Sequence, residues 1–174
     1  MDQTKNGLGA AMKSLQDIVA PAIAKDDPLA IEQLRLVIDY LEFVRSRVDY
    51  LYHREQFELR HYVGMARALS VVAAEVDPEL ATAIAESVVA AEACAGRTAS
   101  TDEIRDATAA LAAGIRLLVR AAADAEAGTR KEIETTIVAS SVERTAVERA
   151  WYLKQGFDQK AAEVSELAPL LAKQ

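Results

Sequence analysis

Apolar positions along the chain fall on three- and four-residue steps, the spacing of one face of an α-helix. The clearest run follows Asp27-Pro28, an acid before a proline in the first helical turn, which is a helix start signal. From Leu29 to Val63 there is no Gly, Pro or Asn, and Leu34, Ile38, Leu41, Val48, Tyr52, Leu59, Tyr62, Ala66 and Leu69 form a stripe that only Arg45 and Glu55 interrupt. The pattern predicts one long helix after Pro28, or two in line with a break near His53–Phe57 or at Gly64. Unbroken from Pro28 to Val63, it would span about 54 Å.

The same signals divide the rest of the chain. Residues 1–7 read as loosely ordered. A first helix is expected from about Leu8 to Ala24, with Leu15, Ile18, Val19 and Ile23 on one side and Pro21 bending it. Asp77-Pro78 opens a helix that Gly96 ends. Ser100 and Glu103 form a capping box for a helix to about Glu126. Gly128 reads as its stop, and Thr129 with Glu132 as a second capping box for a helix to about Gln155. Gly156 is the next stop, before a last helix from Asp158 to Leu171 with Pro169 in its final turn. No segment alternates with a period of two, so no strand is expected. The expected fold is an all-α, single-domain helical bundle over residues 1–174, with five to seven mostly antiparallel helices.

Composition agrees with that fold and narrows the partners. The chain has 174 residues, 51% of them hydrophobic, and a formal net charge of −7. Acids and bases are interleaved and no block is strongly basic, so neither nucleic acid nor an anionic membrane surface is an expected partner. There is no apolar run of 18 residues and no basic stretch leading into an apolar core at the start, so the expected location is the cytoplasm. Cys94, the single cysteine, lies among alanines and reads as a small buried hydrophobe.

Side-chain bulk is unevenly distributed. All nine aromatic residues lie in two windows, Tyr40 to Tyr62 and Trp151 to Phe157, whereas 18 of the 47 residues from Ala81 to Ala127 are alanine. Alanine faces let helix axes approach closely and leave little room for a ligand. A cavity or a sticky surface is therefore expected near the aromatic windows. The two windows are expected to meet, with Trp151 and Tyr152 covering the long helix near Tyr50 and Phe57. Tyr40, Phe43, Arg47, Tyr50, Arg54, Phe57 and His61 make a second bulky stripe beside the aliphatic one. A surface helix normally buries one stripe. Two stripes imply a central helix, a helix buried against a second copy, or a ligand pocket.

Candidate chemistry is sparse. His53 and His61 lie about 12 Å apart along one helix, too far to share a metal. Glu58-x-x-His61 has di-iron ligand spacing but needs a second such pair, which the chain lacks. His61 is expected instead to pack against Phe57, one turn before it, with its ring nitrogens hydrogen-bonded. No metal, no cofactor and no catalytic set is expected. Asp49 and His53, one helical turn apart, make the best polar cluster with Arg47, Tyr50, Arg54 and Phe57, and Arg144 and Glu148 could join it. The expected function is non-catalytic: self-association as a homodimer, or binding of a protein partner. The alternative is an aromatic or anionic small ligand between residues 40–62 and 151–157, contacted by Tyr40, Phe43, Arg47, Tyr50, His53, Arg54, Phe57, His61, Arg144, Trp151 and Tyr152.

Overall fold

A computed structural model describes residues 3–96 and 98–172. Among these the fold is all-α and no strand occurs. Contacts group the chain into two compact units, residues 1–51 with 151–159, and residues 52–150 with 160–174.

The first unit contains a helical hairpin. Helix α1 (Gln3–Ser14) continues through a π-turn (Leu15–Val19) into α2 (Ala20–Ala22). Residues 3–7, expected to be loose, are therefore already helical. Pro21 explains the π-turn. It has no N–H for the Asp17 carbonyl, and just before it the Ala20 N–H reaches back five residues to the Leu15 carbonyl. The chain leaves the helix at Ile23, whose backbone is extended. Helix α3 (Pro28–Arg47) then starts where the sequence placed it, with the Ala30 N–H donating to the Asp27 carboxylate at 2.9 Å. Lys5 ion-pairs with Asp49, and Gly9 faces the Arg45 guanidinium, so α1 and α3 run antiparallel. Leu34, Ile38, Leu41 and Val48 are half-buried.

Helix α3 passes into a 3₁₀ turn (Val48–Tyr50) and then into α4 (Leu51–Val76). The interruption in the long helix thus precedes both expected break points, and Gly64 lies inside regular helix. That glycine is exposed and an added Cβ there would meet nothing within 4 Å, so it serves no turn.

The second unit is built from α4, α5 (Pro78–Ala95), α6 (Thr101–Ala121), α7 (Ala127–Tyr152) and α8 (Leu167–Ala172). Its core joins Leu59, Leu69, Ile84, Leu111, Leu118 and Ile133. Cys94 is buried there with Ala91 and Ala99. Helices α5 and α6 pack on each other, and their small residues bring them close. A Cβ added to Gly114 would lie 2.9 Å from Ile84 Cγ1. Arg54 pairs with Glu148, and one turn later Glu58 pairs with Arg144, so α4 and α7 are antiparallel.

Caps follow the sequence at three of four sites. Asp77 accepts from the Glu79 and Leu80 N–H groups, and Ser100 with Glu103 makes the full capping box. Thr129 caps nothing: α7 begins at Ala127 and contains both Gly128 and Thr129. The preceding helix ends at Ala121 rather than near Glu126, in a 3₁₀ turn (Ala122–Asp124) whose first alanine is buried in the core. The reversal uses only negative φ angles, so it needed no glycine. Gly156 stops the 3₁₀ end of α7 with φ +77°, a left-handed conformation that favours glycine. No helix spans Asp158 to Leu171. Residues 161–163 are a 3₁₀ turn, and α8 starts at Leu167. Pro169 thereby falls in the first turn of α8, where its missing N–H costs nothing.

Candidate functional site

The expected site residues divide between the two units. In the first, Phe43, Arg47, Trp151 and Tyr152 come together. Phe43 and Tyr152 stack with centroids 5.8 Å apart and 12° between planes. Arg47, only 7% exposed, lies between the Phe43 and Trp151 rings, with its guanidinium carbon 5.7 Å from each centroid. Its Nε–H donates to the Trp151 carbonyl at 2.8 Å. Burial pulls the Arg47 pKa down from its ordinary value, and the Tyr50 hydroxyl acts in the opposite sense. The planar cation suits this place because it stacks on ring faces while one edge hydrogen-bonds.

The two aromatic windows therefore meet at Phe43 and Arg47. The expected meeting point was Tyr50 and Phe57. Phe57 belongs to the second unit, where it is buried and stacks on His61 at 6.3 Å and 15°. Tyr40 continues the first cluster, 6.4 Å from Phe43. Beyond it, Tyr40, Leu36, Phe43 and Phe157 line a groove of about 720 Å³ with Arg35, Asp39, Glu42 and Lys154 on its rim.

The residues expected around Asp49 and His53 are divided between the two units. Asp49 is held by Lys5 of α1, and the 3₁₀ turn at Val48–Tyr50 takes it out of α-helical register with the residues after it. His53 is exposed, edge-on to Tyr52. Arg54 donates to Glu148 at 2.6 Å. The Arg144 Nε–H donates to both Glu58 carboxylate oxygens, at 3.0 and 3.2 Å. Burial alone would lower the Arg144 pKa, but the Glu58 charge and hydrogen bonds outweigh it and the value is raised.

Glu58 is thus engaged by Arg144. Among the described residues no three His, Cys, Asp or Glu side chains gather in a way that could hold a metal. His61 stacks on Phe57, as its spacing suggested, and meets Tyr62 edge-on at 5.3 Å, but among the described residues its ring nitrogens make none of the expected hydrogen bonds. Burial lowers its pKa; Glu58 and Glu143 raise it, and Arg144 lowers it further.

Two clefts share His61 and Met65 as lining. One, of about 290 Å³, also touches Phe57, Gly64 and Glu143. The other, of about 400 Å³, lies among α4, α6 and α7 and includes Arg116, Arg120, Ile137 and Arg144. The α6 side of this second cleft falls in the alanine-rich stretch where little room for a ligand was expected. Ala112 is among its α6 lining, and a short alanine side chain fills little of the space beside it. The arginine pair one turn apart in an acidic chain was the signal available in the sequence.

No protein-family model, curated protein or solved structure matches this chain.

Proposed function

We propose that this protein acts non-catalytically, by self-association into a homodimer through the exposed apolar face of the first unit. The observation that carries the reading is where exposed hydrophobic bulk accumulates. Among the described residues, ten of the sixteen large hydrophobic side chains left exposed belong to this smaller unit.

On α3 the bare residues follow a seam. Leu29, Gln33, Leu36 and Tyr40 are exposed and lead to the half-buried Phe43, with steps of four and three residues in alternation, as in a helix that packs lengthwise on another. Leu29 is 69% and Tyr40 61% exposed, and Phe157, across the groove from Tyr40, is 83% exposed. The face toward α1 carries the other stripe, so the hairpin uses one stripe and leaves this one bare. Together with Leu36, Val37 and Tyr152, these side chains expose roughly 700–800 Å² per chain. That is the area each partner contributes to a stable interface.

Charge favours a second copy as the occupant. The groove rim sets Arg35 and Lys154 against Asp39 and Glu42, a formal sum of zero in a chain of net charge −7. Two acidic molecules approach with least repulsion where the local charge is balanced. Within this reading the protein is cytoplasmic, a reducing setting in which the single buried thiol of Cys94 stays free. For the described residues, no helix is long and apolar enough to cross a membrane.

Sedimentation equilibrium tests the proposal. The wild type should be dimeric at micromolar concentration, and Leu36→Ser with Tyr40→Ser should be monomeric with an unchanged far-ultraviolet dichroism spectrum. A wild type that stays monomeric at high micromolar concentration refutes it. Exposed seam residues should tolerate these changes, so loss of folding is not a competing explanation.

A further inference from the structure

The second unit carries a cleft whose charge the dimer does not use. We propose that the cleft among α4, α6 and α7 binds an organic anion with an apolar body, its acidic head held by Arg116 and Arg120.

The arginines of this unit supply the first argument. Arg54, Arg67, Arg105 and Arg144 are each paired with a carboxylate. Arg60, Arg130 and Arg149 donate to backbone carbonyls. Among the described residues, Arg116 and Arg120 make no ion pair or side-chain hydrogen bond. They stand one helical turn apart on the same face of α6, about 6 Å along the axis. Like charges at this spacing destabilise a helix slightly. A pair of planar cations so placed matches the oxygens of a carboxylate or phosphate.

The walls supply the second. Beside the two arginines the cleft is lined by Tyr62, Ile115, Val119 and Ile137, which suit an apolar or aromatic body. Its volume of about 400 Å³ lies within the range of small-molecule sites. Arg144 also lines the cleft, but it is already paired with Glu58, so Arg116 and Arg120 are the cations left for an incoming anion. The result is a locally cationic, largely apolar hollow in a protein of net charge −7.

Isothermal titration calorimetry of the full chain tests the proposal with four probes: decanoate, phenylbutyrate, decanol and inorganic phosphate. The two carboxylates should bind, and decanol and phosphate should bind at least about tenfold more weakly, because each lacks one half of the recognition. Arg116→Gln with Arg120→Gln should weaken carboxylate binding by about tenfold or more and leave decanol unchanged. Both arginines are exposed, so the variant should retain its helix content. Equal binding of decanoate and decanol, equal binding of bare phosphate, undiminished binding by the double variant, or no carboxylate binding at all would each overturn the proposal. Tyr40→Ser should leave carboxylate binding intact, which separates this site from the dimer seam.

Discussion

Replacing Gly114 by alanine sets two opposing effects against each other on α6. A glycine inside a helix is worse than alanine by about 1 kcal/mol, because it loses more backbone freedom on folding. That effect alone would make the variant more stable. The structure puts Ile84 in the way: the new Cβ would sit 2.9 Å from Ile84 Cγ1 and 3.7 Å from Cδ1. Cγ1 lies near the root of a branched side chain that is 4% exposed, so it has little room to move. Forcing an extra carbon into a packed core costs about 1–3 kcal/mol. The clash wins, and Gly114→Ala should destabilise the protein by about 1 kcal/mol, or about 2–4 °C in melting temperature for a chain of this size. Gly64→Ala is the control. It makes the same chemical change inside α4, where nothing lies within 4 Å, and should stabilise by about 1 kcal/mol. In an Ile84→Ala background the obstacle is gone, and Gly114→Ala should turn stabilising. Thermal and guanidinium denaturation followed by far-ultraviolet circular dichroism measures every one of these proteins. If Gly114→Ala raises the melting temperature of the otherwise native chain as Gly64→Ala does, the close approach of α5 and α6 is not as described.

Three other outcomes follow from the site. Arg47→Leu removes two ring contacts and the bond to the Trp151 carbonyl, and should cost about 1–3 kcal/mol after allowance for the desolvation that the buried cation no longer suffers. The emission of Trp151, the single tryptophan, should shift to the red, and an unchanged spectrum would contradict the packing. His61 has a folded pKa below its unfolded value near 6.5, so its stabilising effect is present above that pH and is lost as the pH falls through the folded value. Acidification from about pH 7.5 to 5.5 should therefore lower the melting temperature more in the wild type than in His61→Gln, whereas equal losses would count against a desolvated imidazole. Ser100→Ala should cost about 1 kcal/mol and Thr129→Ala almost nothing, because only the serine caps a helix; equal costs by chemical denaturation would mean that α7 starts later than Ala127.

Local signals on the chain determined the helices and most of their ends. The 3.6-residue periodicity excluded strands, and Asp27, Asp77 and Ser100 carry side chains whose capping bonds reach only two or three residues along. Gly156 works in the same way, through its own φ angle. Burial of Cys94 and the stacking of His61 on Phe57 were also legible, because an alanine-rich neighbourhood and an i, i+4 spacing are local facts. What required the tertiary structure was every choice among partners. Asp49 had His53 within one helical turn, yet Lys5, 44 residues away in sequence, holds it once α1 folds back along α3. Trp151 and Tyr152 were expected near Tyr50 and Phe57, and only the packing of the first unit directs them to Arg47 and Phe43. The reversal after Ala121 and the late start of α8 carry no strong local signal, since burial of Ala122 and Leu167 decides them. The cleft beside Arg116 and Arg120 was hidden for the same reason: a hollow is a property of three helices at once, and no stretch of one helix encodes it.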